Sequence, residues 1–527
     1  MILTTRKHHR FRTSRAARGT GHEWVSQRIG LCRRPKAVGR TGTVRFQSSG
    51  SGISNVRRFR PFGGSRMNEN GVRMSHNGES RWNATEQLVD TTAGMIDPRV
   101  YSDPDIYQRE LEQVFGRSWL FLAHDSQLPK RGSFLQTYMG EDPVLVVRQK
   151  DGTVKAFLNQ CRHRGMRICR SDEGTAKSFT CSYHGWSYDL EGNLINAPME
   201  ELAYGTHLEK SQWGAEKVAR IVEYKGFHFG TWSDDAPSFE DYLGDFKYHF
   251  DSTVDRWDDG LEFVKGASRW VIDCNWKFAA EQFASDMYHA PVSHASALAA
   301  LVEDPAMRSY PQVNGVQYSA NGHGTGTIPN PNFGPDPFVG PEFSEWNTAN
   351  SQQVYDRVGT QRAENVMVHS TLFPNFSWLA TGAPIFMAPT MRVWHPRGPN
   401  QVEVWSWVFV PKGAPAGVKN RIRELSLRQF SPAGVFETDD GENWTEIQQV
   451  LKGWKARTTK FNAQMGLGTE SNNKDGVPGL SSGLFSEAAA RGFYHRWQDL
   501  MSGRSWAEIT DREHTRRTSF DKKVESL

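Results

Sequence analysis

Hydrophobic positions along the chain fall into blocks with different periods. The stretch DPDIYQRELEQVFGRSWLFLAH (103–124) sets Ile106, Leu111 and Val114/Phe115 on one helical face. It then becomes an extended apolar run, so a helix followed by a strand around Trp119–Ala123 is predicted. Three short alternating or apolar runs follow, SFLQTYMG, PVLVVRQ and TVKAFLNQ, the signature of antiparallel β structure. Asp151-Gly152 between the last two predicts a type I′ hairpin. Beyond about residue 240, longer helical patterns mix with strands. TMRVWHP and QVEVWSWVFV flank a Gly398-Pro399-Asn400 turn, and Ser431-Pro432 supplies an N-cap and an N1 proline for a helix running to about Gly453. Internal repeats are not evident.

Before Trp82, where order is expected to begin, neither period persists: residues 1–73 are rich in Arg, Ser and Gly. Residues 1–80 carry 17 Lys and Arg against Glu23, Glu69 and Glu79. That is a net +14, which leaves −10 for the rest of a chain whose total is +4. A mildly acidic body offers no basic surface for nucleic acid. The basic stretch is expected to be disordered and to lie upstream of a native start at Met67 or Met74, in preference to a transit peptide or a nucleic-acid arm. The 527 residues include 18 Trp and 30 Phe, ample for globular cores. Mean hydropathy is −0.62, and no apolar run approaches the roughly 20 residues of a membrane helix. Five cysteines, an odd and sparse set, argue for a reducing compartment, the cytoplasm.

Two of those cysteines fall in a pattern. Cys161-Arg-His163 is followed by Cys181-Ser-Tyr-His184, each loop contributing one Cys and one His. Two thiolates and two imidazoles suit zinc or an iron–sulfur centre. Zinc fingers, however, pair like ligands within a loop, whereas mixed loops let both Cys hold one iron and both His the other, which is Rieske [2Fe–2S] ligation. Replacing two thiolates by neutral imidazoles raises the reduction potential. Ser182-Tyr183 occupies the place where respiratory Rieske proteins carry a further cysteine. Cys32, Cys169 and Cys274 read as unpaired thiols.

A second constellation lies in NWKFAAEQFASDMYHAPVSH (275–294). Asp286 and His289 are expected to share a helix face, with Pro291 breaking the helix before His294 is presented. Two nearby His and one distant carboxylate form the facial set that leaves positions open on non-heme Fe(II) for O₂ and substrate. In SPAGVFETDDGENWTEIQQVLKG, Asp440 aligns with Phe436, Trp444 and Ile447 and so faces inward. Asp439 aligns with Glu442, Asn443 and Glu446, a solvated face. A buried carboxylate without a cationic partner is costly unless a metal compensates, which selects Asp440.

CRHRGMRICR, CSYHGWSYDLEGNL, NWKFAAEQFASDMYH, RVWHPRGPNQVEVW and FETDDGENW together resemble the large (α) subunit of Rieske non-heme iron aromatic-ring-hydroxylating dioxygenases. The likeness is to the biphenyl/toluene/phenylpropionate branch and covers about residues 82–507. It implies an α+β architecture: an all-β Rieske [2Fe–2S] domain, then a catalytic domain with an antiparallel sheet flanked by helices, of the helix-grip type. The implied layout is a disordered basic extension (1–80), an N-terminal part packing on the catalytic domain (81–117), the Rieske domain (118–240), the catalytic domain (241–510) and a C-terminal tail (511–527).

The resemblance also implies a [2Fe–2S] cluster on Cys161, His163, Cys181 and His184, and Fe(II) on His289, His294 and Asp440. Asp286 becomes the aspartate that links His289 to His184 of a neighbouring subunit. The implied reaction adds both atoms of O₂ to an aromatic hydrocarbon, giving a cis-dihydrodiol. Electrons would come from NADH through a separate reductase and ferredoxin, and a small β subunit would complete an α₃β₃ assembly. Gln282, Phe283, Met287, Ala290 and Phe436 match pocket positions. The segment LATGAPIFMAPTMRV (379–393) is longer than in biphenyl-type members, with Arg392 expected to face away from the pocket. Dioxygenation of an aromatic acid and monooxygenation or demethylation are the alternatives.

Overall fold

The computed structural model describes residues 86–301, 315–329, 340–379 and 389–524. The basic extension, the expected onset of order at Trp82, Cys32 and most of the lengthened segment (380–388) lie outside the described residues. Helix α1 (Pro104–Glu110) is opened by Asp103, whose carboxylate accepts the Asp105 and Ile106 N–H groups, and continues as a wider turn over Leu111–Phe115. Ile106, Val114 and Phe115 are buried as their spacing predicts.

Next comes an all-β region of three small antiparallel sheets. Its strands are β1 (Leu120–His124), β2 (Ser133–Met139), β3 (Asp142–Arg148), β4 (Val154–Leu158), β5 (Glu173–Thr175), β6 (Phe179–Thr180), β7 (Ser187–Tyr188), β8 (Leu194–Asn196), β9 (Arg220–Tyr224) and β10 (Phe227–Thr231). They assemble in the orders β4-β3-β2-β5, β8-β7-β6 and β9-β10-β1. The β3–β4 connection is not type I′. Gly152 takes a positive φ of 87° but Asp151 does not, because the Asp151 carboxylate folds back to accept the Thr153 N–H at 3.0 Å and its hydroxyl at 2.7 Å.

A large antiparallel sheet follows. Its strands are β11 (Leu261–Phe263), β12 (Ser268–Ile272), β13 (Val316–Ala320), β14 (His323–Pro329), β15 (Asn365–Leu372), β16 (Phe376–Leu379), β17 (Thr390–Pro396), β18 (Val402–Pro411), β19 (Ser471–Asn472) and β20 (Leu480–Gly483). The order is β11-β18-β17-β16-β15-β14-β13-β20-β19, with β12 pairing the other end of β18. Helix α2 (Trp276–Ser285), capped by Asn275, lies against β14–β17. Helices α3 (Ala416–Gln429), α4 (Val435–Val450), α5 (Ala488–Met501) and α6 (Trp506–Val524) complete the set used below. The architecture is α+β, as expected. Among the described residues no helix is long and apolar enough to cross a membrane.

Two helix boundaries differ from expectation. Helix α2 ends at Ser285, leaving Asp286 extended, and Pro291 sits in the first turn of a separate short helix, Ala290–Ser293. A helical Pro291 would clash with the carbonyl four residues back, at Met287, so the break falls ahead of His289 rather than after it. Helix α4 begins at Val435: Ser431 to Gly434 form a tight turn closed by the Gly434 N–H on the Ser431 carbonyl. Residues 511–524, expected as a tail, continue helix α6.

The largest core runs from β1 and β9–β10 through the large sheet, while the Cys161 and Cys181 loops rest on a smaller one built from Phe134, Leu145, Phe157, Phe179 and Trp186. Glu110 ties α1 to α2 and α5. Its buried carboxylate accepts Lys277 Nζ at 2.5 Å, Trp276 Nε1 at 2.9 Å and Trp497 Nε1 at 2.8 Å.

Candidate metal centres

The two Cys/His loops share one backbone design. Cys161 N–H donates to the Met166 carbonyl and Gly165 N–H to the Cys161 carbonyl; Cys181 repeats this with Trp186 and Gly185. The closing glycines take φ of 74° and 76°, a conformation that favours glycine. At Gly185 a Cβ would stand 2.7 Å from Pro198 Cγ, so packing adds to the constraint.

The facing loops sort their side chains by type. Cys161 and Cys181 are both buried in the same small core, where burial and the neighbouring Cys181 push the Cys161 thiol up. The imidazoles of His163 and His184 meet nearer the surface, with ring centroids 4.4 Å apart. His163 is braced by Trp186, stacked at 5.1 Å, and its Nδ1 is buried without a partner. Tyr188 Oη donates to Cys161 Sγ at 3.3 Å. A thiol pair beside an imidazole pair fits two irons with unlike ligands better than one tetrahedral zinc. Tyr188 and Trp186 are not marked by the sequence, because only the fold brings them onto Cys161 and His163.

The second centre forms where α2 ends. The Asp286 carboxylate accepts the His289 N–H at 3.0 Å, and its Oδ2 lies 3.2 Å from His289 Nδ1. This directs His289 Nε2 inward. From α4 comes Asp440, 2% exposed, with Phe436 and Trp444 buried on the same face; Ile447, assigned to that face, is instead 36% exposed. His289 Nε2 and His294 Nε2 are 3.3 Å apart, and Asp440 Oδ1 is 3.2 and 3.4 Å from them. Three edges of this length suit cis ligands at roughly 2.3 Å from one ion.

Asp440 Oδ1 is buried with no hydrogen-bond donor, facing two ring nitrogens. Such an arrangement calls for a cation. The local field agrees: although burial opposes the charge, the Asp286 and Asp440 carboxylates push His289 up to about 10. Burial likewise opposes ionisation of Asp286, yet its hydrogen bonds from His289 hold it below the usual carboxylate range. The three groups fit a divalent ion. Gln282 Nε2 lies 3.4 Å from His289 Nε2, and its oxygen is fixed by Trp444 Nε1 at 2.8 Å.

The face of Glu442, Asn443 and Glu446 is exposed as expected, while Asp439 is only part-exposed. Its Oδ2 lies 3.1 Å from His294 Nδ1, so each imidazole has its own orienting carboxylate. Helical neighbours differ by about 100°, and two separate rings are broad enough to meet both Asp439 and Asp440. Arg392, expected to face away from the pocket, packs instead against Phe283, one of the pocket-matched residues. It is fully buried, its Nη1 donates to Glu437 at 2.6 Å, and its guanidinium lies 4.8 Å from the Phe283 ring centre. The pocket-matched residues Phe283, Met287, Ala290 and Phe436 are buried and apolar, with Phe436 4.9 Å from the His294 ring. Cys169 and Cys274 are unpaired.

Residues 118–205 match the Rieske [2Fe-2S] domain family, and 242–503 match the ring hydroxylating alpha subunit (catalytic domain) family. The chain is 50% identical over 434 residues to the biphenyl 2,3-dioxygenase subunit alpha of Rhodococcus jostii (strain RHA1), covering 80% of this chain and 92% of that one. It is 48% identical to a benzene 1,2-dioxygenase subunit alpha of Pseudomonas putida, covering 81% and 95%. Among solved structures, naphthalene 1,2-dioxygenase with indole bound in its active site is 32% identical with a TM-score of 0.76, covering 83% of this chain and 99% of that one.

Proposed function

The chain belongs to the ring-hydroxylating dioxygenase alpha-subunit family, and from that premise we propose that it is the terminal oxygenase component of a multicomponent aromatic-ring dioxygenase. The reaction adds both atoms of O₂ to adjacent carbons of a neutral arene, giving a cis-dihydrodiol. The triangle of His289 Nε2, His294 Nε2 and Asp440 Oδ1, with edges of 3.2–3.4 Å, carries this reading.

His289, His294 and Asp440 would hold a ferrous ion, Cys161 and Cys181 one iron of a [2Fe–2S] cluster, and His163 and His184 the other. When bound, the mononuclear site supplies O₂ activation beside substrate and the cluster supplies electrons one at a time. The remaining work falls to side chains. Asp286 and Asp439 hold the two imidazoles with Nε2 inward, and Gln282 fills the flank of His289. Phe283, Met287, Ala290 and Phe436 exclude water and favour an uncharged ring. An arene carboxylate would ask for a free cation, and the charge of the buried Arg392 is already met by Glu437.

The Rieske region (118–240) and the catalytic region (241–510) would communicate between copies. Tyr183 beside His184 is exposed, as is Met199, next to the Pro198 that packs on Gly185, and so are Tyr288 and Val292 beside His289. Apolar surface at both centres suits a neighbouring copy that brings its own His184 to Asp286. A small β subunit in an α₃β₃ assembly, a ferredoxin and an NADH-dependent reductase complete the system. The test is turnover of biphenyl, benzene and their carboxylated analogues under ¹⁸O₂ with the β subunit and redox partners present. A cis-dihydrodiol carrying two labelled oxygens supports the reading. Single-oxygen or dealkylated products, or turnover confined to acids, would replace it with the monooxygenase or aromatic-acid alternative.

A further inference from the structure

The charged residues behind the second centre have no place yet in this chemistry. Arg392 lies in the middle of β17, opposite Ser377 of β16 and Ser406 of β18, so two neighbouring strands fix its Cα. Its side chain is fully buried and reaches three elements at once. Nη1 donates to Glu437 Oε2 in the first turn of α4, and Nη2 to Thr390 Oγ1 at 3.0 Å. The guanidinium also packs over Phe283 of α2 at 4.8 Å and over Phe430, at the C-terminal end of α3, at 5.5 Å.

Glu437 precedes Asp440 by three residues, within one helical turn. Helix α4 has no side-chain N-cap. This ion pair ties its first turn to the central sheet, while Trp444 and Gln448 hold the later turns to Gln282 of α2 and to Asn400. A buried ion pair contributes little net stability compared with an apolar pair of similar volume. What a rigid guanidinium fork does provide is a defined angle and register.

We propose that Arg392 and Glu437 are positioning residues for the metal site: they lock the start of α4 against the sheet so that Asp440 meets the two imidazoles. The inference rests on the reading of His289, His294 and Asp440 as iron ligands, and it assigns a role to residues that touch neither metal nor substrate.

The experiment measures Fe(II) affinity and thermal stability of the assembled enzyme in Arg392→Met, Glu437→Gln, the double variant and Arg392→Lys. Visible absorbance confirms that the [2Fe–2S] cluster is present in each. The single variants should bind Fe(II) at least tenfold more weakly. The double variant, which leaves no lone buried charge, should recover thermal stability yet keep the weakened affinity. Arg392→Lys should recover part of it. Wild-type affinity in Arg392→Met, or affinity returning together with stability in the double variant, would overturn the proposal. Should a single variant fail to fold, the double variant decides the matter alone. A wild-type chain that binds no third iron would instead refute the underlying oxygenase reading.

Discussion

Replacing Lys277 by methionine should destabilise the chain through Glu110. The Glu110 carboxylate, fully buried, accepts one ammonium and two indole N–H groups at 2.5–2.9 Å. Removing the ammonium leaves the anion with neutral donors alone. Breaking one side of a buried ion pair costs about 3–5 kcal/mol, a large part of a typical stability of about 5–15 kcal/mol. In a chain of 527 residues, unfolding entropy of about 2.1 cal/mol/K per residue makes each kcal/mol worth roughly 1 °C, so the midpoint should fall by about 3–5 °C. The double variant Lys277→Met/Glu110→Gln keeps an acceptor for the indoles and buries no charge, and should recover to within about 1 kcal/mol of wild type. Scanning calorimetry on these three proteins and on Glu110→Gln closes the cycle. A Lys277→Met chain that melts with the wild type, or single costs that simply add in the double variant, would refute the reasoning.

Other consequences are as direct. Asp439→Ala frees His294 Nδ1 and should weaken Fe(II) binding by about 10–100-fold with the cluster unchanged, as read by iron titration. Asp286→Asn should retain both metal centres yet lose turnover; normal single-turnover electron transfer would exclude its proposed linking role. Acid should destabilise the fold through His323. Burial lowers this imidazole to about 3, and its two nitrogens already serve the Tyr242 carbonyl and the Phe373 N–H, each at 2.9 Å. The unfolded ring takes a proton near 6.5 and the folded one does not, so this stability is present above 6.5 and falls by about 1.4 kcal/mol per pH unit between there and about 3. A His323→Asn variant should show a shallower loss of unfolding midpoint from pH 6.5 to 4.5; an unchanged slope would contradict this.

The two Cys/His loops were legible because their pattern is local: Cys161 and His163, or Cys181 and His184, stand out by spacing, and the fold needs only to face two loops. Asp440 is distant in sequence from His294, yet helical phase alone marked it as the inward acid. The same phase set Asp439 on the exposed face but missed its contact with His294, because periodicity assumes one narrow buried face and this helix meets two imidazoles. The Arg392–Glu437 pair joins a strand to a helix far along the chain, a contact that neither segment announces. The early break of α2 follows from a backbone clash one turn before Pro291, which a count of His spacing overlooks. Asp151-Gly152 did mark a turn, but the Asp151 carboxylate selected its type.

Iron and acid-labile sulfide counted on the wild type and on Asp440→Ala test the assignment of two separate centres to this one chain. About three irons and two sulfides are expected per wild-type chain, and about two of each in Asp440→Ala with the Rieske absorbance intact. Zinc without sulfide in the cysteine loops, or a third iron retained when the Asp440 carboxylate is gone, would contradict that assignment.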